Sequence, residues 1–127
     1  MPDYRALILA LLAVPALAQA AAPAELLEEY RRQGAGGFAP TSGKAAWNRA
    51  GINGRSCATC HGEDLSQAGS HARTGKLIEP LAPSANPQRL ADPRKVEKWL
   101  KRNCKWTWGR ECSPQEKGDF LTWISSL

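Results

Sequence analysis

A chain of 127 residues is long enough for one domain and hardly for two. Seventeen basic side chains against twelve acidic ones give a formal net charge of +5, so acidic partners are favoured. After the first twenty residues no apolar run approaches the length of a membrane span, which excludes further transmembrane helices.

The first twenty residues have the pattern of a signal peptide. Met1–Arg5 carries one arginine, and the apolar run that follows is too short to span a bilayer as a stable helix. Ala18-Gln19-Ala20 fits the small-x-small cleavage pattern, so we expect cleavage after Ala20, with Ala22 as the alternative. A retained membrane anchor is the competing interpretation, and Pro15 within the run argues against it. We therefore predict an exported, periplasmic protein with no stable membrane insertion after cleavage, in a compartment that permits disulfides.

The mature chain predicts helices separated by one long loop. A first short helix is expected over residues 23–34, with acids early and arginines late, and a second over 43–49 capped by Ser42. No alternating strand pattern appears, and residues 62–86 predict a long ordered loop rich in Gly, Ser and Pro. Such a loop is unusual in a compact domain unless a bound group holds it.

Two further helices have clear start signals. Asp92 as cap and Pro93 at the first helical position begin a helix that we expect to reach Asn103. Ser113, Pro114 and Glu116 give the next helix a capping box. Its apolar side chains share one face and are Phe120, Leu121, Ile124 and Leu127.

The segment Cys57-Ala58-Thr59-Cys60-His61 matches C-x-x-C-H, the attachment signature of a c-type haem. Two thiols at this spacing add to the two vinyl groups on one porphyrin edge, and the histidine that follows can bind the iron. A thioredoxin-like dithiol needs a βαβ context that is not predicted here. A zinc site needs a second ligand pair, and Cys104 and Cys112 are too widely spaced for one. We therefore predict one covalent haem c.

The second axial ligand cannot be methionine in the mature chain, because Met1 is the only methionine and belongs to the signal peptide. The candidates are His71, a lysine, Asn103 or water. A lysine would first have to lose its proton, and His71 has the alternative interpretation of a solvent-exposed loop residue. Asn103 shares an otherwise apolar helical face with Val96, Trp99 and Leu100, but an asparagine also commonly ends a helix.

The remaining cysteines, Cys104 and Cys112, fit a disulfide that would close a small loop. It would fix the end of the Asn103 helix against the start of the last helix. Trp106 and Trp108 would then lie on the loop between the two cysteines.

Four blocks, "CATCHG", "RTGKLIEPLAPSANP", "VEKWLKRNC" and "GRECSPQEKGD", together resemble the sphaeroides haem protein (SHP) type of cytochrome c. The resemblance implies an all-α, class I cytochrome c-like fold around one covalent haem, with the C-terminal helix packed across an N-terminal one. It implies that His61 is the proximal ligand and Asn103 the distal one, and that Cys104 pairs with Cys112. The expected organisation is a signal peptide (1–20), an N-terminal helix and linker (21–42) and a cytochrome c domain (43–127).

The resemblance also implies that the asparagine leaves the iron on reduction, so that a small gas such as O₂, NO or CO can bind. Two alternatives stay open: a plain electron carrier with a closed His/His site, and a terminal reductase of a small oxygen or nitrogen species. No residue looks like a dedicated proton donor for that reduction, so an enzyme is not the favoured interpretation.

Partners are predicted from the charge between Arg94 and Arg110, where seven basic residues and one acid, Glu97, occur. We expect a redox partner, which the resemblance suggests is another cytochrome. A solvated helix face is the alternative interpretation of the same charges. Nucleic acid is not expected as a partner of an exported haem protein.

Overall fold

The structure is a computed structural model that describes residues 18–127, with side chains from Ala22 onward. The predicted signal peptide, residues 1–20, lies almost wholly outside the described residues. The elements in chain order are α1 (Ala18–Arg32), α2 (Pro40–Asn48), a 3-10 turn (Ile52–Gly54), α3 (Ala58–His61), β1 (Gly69–Ser70), β2 (Leu77–Ile78), α4 (Pro93–Trp108) and α5 (Pro114–Ser125). Within the described part, no helix is long and apolar enough to cross a membrane.

Helices α2 and α5 cross at Gly43, as predicted for the C-terminal helix and an earlier one. A β-carbon at Gly43 would overlap the backbone carbonyl of Asp119, so only glycine permits this approach. Around the crossing lies the main core, in which Trp47 packs edge-on against Phe120 and Trp123. The other buried members of this core are Leu65, Ala82, Cys104, Cys112 and Ile124. The main core therefore joins α2, α5, the long loop and the end of α4.

A second core forms where α1 packs on α5, and it contains Leu26, Tyr30 and Leu121. Tyr30 is 1% exposed, and its hydroxyl donates a hydrogen bond to Oε1 of Glu97 on α4. Nζ of Lys117 on α5 lies 2.9 Å from Oε2 of the same carboxylate. Glu97 thus links α4 to both α1 and α5.

The two predicted start signals of the late helices are confirmed. The Asp92 side chain accepts from the backbone N–H groups of Arg94 and Lys95 at the start of α4. Ser113 and Glu116 form a reciprocal capping box at the start of α5. Of the predicted apolar face of α5, Phe120, Leu121 and Ile124 are buried, whereas Leu127 lies beyond the helix and is 38% exposed.

The early boundaries differ from the sequence prediction. Helix α1 begins at Ala18 rather than Pro23, because the alanine-rich stretch before the proline favours helix. Helix α2 begins at Pro40 with Ala39 as its cap, and Ser42 does not cap it. Pro40 is the first-turn proline that marks this start.

The prediction that α4 ends near Asn103 is wrong, and the two tryptophans that follow do not lie on a loop. The helix continues to Trp108 and ends at Gly109, whose φ of 71° is the left-handed C-cap conformation. The long loop is also less irregular than predicted, since β1 and β2 pair antiparallel.

Candidate haem site

The predicted attachment residues lie at the N-cap of α3 and on α3 itself, which is the shortest α-helix of the described chain. Cys57 is its N-cap residue and Cys60 lies one turn later, so the two thiols can project from the same side. The helix stops at Gly62, where φ is 75°. Both cysteines are free thiols, whereas the other two cysteines face each other. This arrangement fits two thioether bonds to one edge of a porphyrin.

His61 follows Cys60 and packs against an aromatic residue that the sequence identified only as apolar. The imidazole ring centroid lies 5.2 Å from that of Trp47. The indole Nε1 of Trp47 donates to the backbone oxygen of Gly62 at 2.9 Å. Burial, helped by the positive charge of Arg89, lowers the pKa of His61 to about 4. The imidazole is therefore neutral at physiological pH, which is the form that binds a metal ion.

Cys57 is enclosed by the end of α4. Its thiol is in hydrogen-bonding contact with the side chain of Thr107, which is 1% exposed, and burial raises the pKa of Cys57 to about 11. The thiol of Cys60 accepts from the backbone N–H of Ala72, at 3.3 Å, in the turn between β1 and β2. The chain therefore contacts the two attachment cysteines from α4 on one side and the long loop on the other.

The long loop is held by backbone carbonyls rather than by extensive secondary structure. Arg89 donates to the carbonyl oxygens of Glu79 (2.9 Å) and Pro80 (3.1 Å). At Gly69 the loop passes so close to α3 that a β-carbon would overlap the carbonyl oxygen of Cys60. No local sequence pattern predicts these contacts, because each joins residues nine or ten positions apart.

Asn103 lies inside α4, one turn before the helix ends. It is half-buried, and within residues 18–127 its side-chain amide makes no hydrogen bond to another residue of the chain. Leu100, on the same face, packs against the main core together with Cys57 and Ala58. The interpretation of Asn103 as a helix terminator is therefore excluded, since Gly109 serves that purpose.

His71, the other histidine, is half-buried rather than exposed. Its Nδ1 accepts from the backbone N–H groups of Arg73 (3.3 Å) and Thr74 (3.2 Å) in the turn after β1. One of its two ring nitrogens is thus used by its own turn.

Cys104 on α4 and Cys112 before α5 face each other, with Cα atoms 5.6 Å apart at a sequence separation of 8. Both side chains are buried in the main core. Since Cys104 immediately follows Asn103, the pair ties α4 to the start of α5 next to the candidate distal ligand.

Comparison with known proteins connects this geometry to a family. Residues 33–124 match a family described as a domain of unknown function, DUF1924. The chain is 46% identical over 121 residues to the cytochrome c-type protein SHP of Cereibacter sphaeroides, covering 92% of this chain and 93% of that protein. The chain belongs to the SHP family of c-type cytochromes.

Solved structures agree with this assignment. Oxidized SHP, described as an oxygen-binding cytochrome c, superposes with a TM-score of 0.77 at 43% identity, over 83% of this chain and 96% of that one. Oxidized cytochrome c'' from Methylophilus methylotrophus superposes with a TM-score of 0.72 at 30% identity, over 84% and 94% of the two chains. The predicted resemblance to the SHP type of cytochrome c and the predicted all-α cytochrome fold are therefore confirmed. As an SHP-family cytochrome, the chain carries one covalently bound haem c.

Proposed function

We propose that this chain is a periplasmic electron-transfer cytochrome whose distal ligand, Asn103, leaves the iron on reduction and admits a small gas. The observation that carries the proposal is the half-buried amide of Asn103, which has no partner among the described residues although it lies on the face of α4 that packs toward Cys57. An amide oxygen that no other group of the described chain engages is free to accept a metal ion.

In this proposal Cys57 and Cys60 hold the haem, His61 is the proximal ligand, and a Cys104–Cys112 disulfide anchors the distal helix. The haem supplies the redox couple and the gas-binding position. A neutral amide oxygen is a hard and weak donor, so it binds ferric iron better than ferrous iron. Reduction of the bound haem would therefore weaken its hold on Asn103, and the disulfide would limit how far this part of α4 could move.

The relatives support the ligand exchange. SHP is described as an oxygen-binding cytochrome c, and a solution structure of cytochrome c'' is described in terms of haem-ligand detachment. His71 is a weaker candidate for a closed His/His site, because its Nδ1 already accepts two backbone N–H groups.

Carbon monoxide and variants of the two candidate ligands test the proposal. Reduced wild type should bind carbon monoxide at once, with a shift of the Soret band. Asn103→Ala should change the ferric spectrum and leave the haem attached, whereas Asn103→Met should give a low-spin haem that binds carbon monoxide slowly or not at all.

His71→Ala is the matched control and should change neither property. If His71→Ala alters the ferric spectrum and Asn103→Ala does not, the protein is a bis-histidine cytochrome. If wild type fails to react with carbon monoxide, it is a closed electron carrier.

We also propose that the basic side of α4 binds an acidic redox partner, by family likeness another cytochrome. Arg94 is 94% exposed, and Lys95, Lys98 and Arg102 are exposed as well. Lys101 and Lys105 are partly neutralised by Glu111, at 3.3 and 3.6 Å.

A further inference from the structure

The segment that leads into the attachment motif lies directly against the last turn of α4. At Gly51 a β-carbon would overlap the backbone carbonyl of Thr107, and the Ile52 side chain lies over Gly109. Two residues after the 3-10 turn ends, the chain reaches Ser56 and then the first attachment cysteine. The distal helix and the haem-attachment segment are therefore in contact independently of any bound group.

Arg55 makes the most specific contact across this junction. Its guanidinium carbon lies 4.7 Å from the centroid of the Trp106 ring, and its Nη1 donates to the backbone oxygen of Trp106 at 3.2 Å. That carbonyl belongs to the last turn of the helix, where carbonyl groups have no intrahelical partner. A cation at this end also interacts favourably with the helix dipole. Arg55 thus stacks on the side chain and caps the backbone of one residue.

The contact between Arg55 and Trp106 joins two segments that both belong to the candidate haem site. Arg55 lies two residues before Cys57, and Trp106 lies three residues after Asn103. One side chain therefore connects the attachment loop to the helical turn that carries the candidate distal ligand. The Cys104–Cys112 pair anchors that turn to the start of α5, so Arg55 provides a separate anchor toward the haem loop.

We propose that Arg55 is a positioning residue for Asn103, which holds the last turn of α4 against the attachment loop and so controls how readily Asn103 leaves the iron. The inference rests on the proposed distal role of Asn103. Without Arg55, the end of α4 loses one hydrogen bond to its last turn and a stacking contact, and Asn103 leaves the ferric iron more often.

The test compares Arg55→Ala with Arg31→Ala in the holoprotein. Arg31 is the matched control, because it lies 5.2 Å over the ring of Phe38 but far from α4 in the chain. For Arg55→Ala we expect a larger high-spin fraction in the ferric spectrum and roughly tenfold faster binding of cyanide to the ferric haem, where cyanide must displace Asn103, given the loss of a cation–π contact and a charged hydrogen bond. Arg31→Ala should match wild type in both measurements.

Arg55→Lys and Trp106→Phe give milder variants that keep, respectively, the charge and the backbone acceptor, and each should lie between wild type and Arg55→Ala. If all three variants retain the wild-type ferric spectrum and cyanide-binding rate while Asn103→Ala changes both, the positioning role is refuted and the proposed function stands. If Asn103→Ala leaves the spectrum unchanged, the distal role itself fails.

Discussion

The protonation of Glu116 is coupled to the fold through several hydrogen bonds. Its carboxylate accepts two hydrogen bonds from Arg110, both at 2.8 Å, one from Arg49 at 3.1 Å and one from the backbone of Ser113. These donors, the Arg110 guanidinium foremost, lower the pKa of Glu116 to about 2. Both arginines also lie over the ring of Trp108. One carboxylate therefore connects the cap of α5, the loop after α2 and the end of α4.

The pH dependence of stability follows from this shift. Because the folded-state pKa of Glu116 lies below its ordinary value of 4.5, its stabilising contribution is complete above that pH and is lost as the pH falls toward about 2. We expect Glu116→Gln to lower the free energy of unfolding at neutral pH and to weaken its dependence on pH between about 4.5 and 2.

Denaturant titrations at several pH values measure this effect, with Glu25→Gln as the control on an exposed position of α1. The control should retain the wild-type pH dependence. Equal slopes for Glu116→Gln and wild type would show that the Arg110 pair contributes nothing.

At the scale of elements, the crossing of α2 and α5 depends on the missing side chain of Gly43. Gly43→Ala places a methyl group against the carbonyl of Asp119, so the two helices must separate. Overpacking of this kind typically costs about 1–3 kcal/mol. We expect a corresponding loss of unfolding free energy in Gly43→Ala.

Gly36→Ala is the matched control, because no atom lies within 4 Å of a β-carbon at that position and its φ is not in the left-handed region. Its unfolding free energy should stay close to that of wild type. A Gly43→Ala variant as stable as Gly36→Ala would mean that the crossing adjusts without cost.

The elements also show which parts of the fold can be predicted from sequence. The starts of α4 and α5 were predictable, because Asp92 and Ser113 cap through residues only two or three positions away. The end of α4 was not, because the buried Thr107 extends the helix through a tertiary contact. The C-x-x-C-H motif was likewise predictable, because its residues are neighbours in the sequence. Trp47 and Thr107 contact the site only because residues distant in the chain pack together. No local sequence pattern predicts such packing.

At the scale of the whole molecule, the charge surplus is concentrated on α4. If this side meets an acidic partner, opposite charges accelerate the encounter and salt screens them. We expect the electron-transfer rate with an acidic cytochrome partner to fall steeply as ionic strength rises, and Lys98→Glu to lower the rate at low salt.

Lys44→Glu is the control of equal charge change on α2, outside the basic stretch, and it should have a smaller effect. Stopped-flow kinetics across a salt series measures both variants. An electron-transfer rate that is independent of salt, or equal for the two variants, would show that α4 is not part of the interface with the partner.

The burial of Cys57 affects the order in which the molecule can be assembled. A thioether forms when the sulfur adds to one vinyl carbon and a proton to the other, and the thiolate is the reactive nucleophile. Once the chain has packed around it, burial raises the pKa of Cys57 to about 11, although the hydrogen bond to Thr107 lowers that pKa, and very little thiolate is left at neutral pH. We therefore expect attachment to be fastest before Cys57 becomes buried. A chain that folds too early would shield its own attachment point, so maturation favours haem attachment before the core has closed.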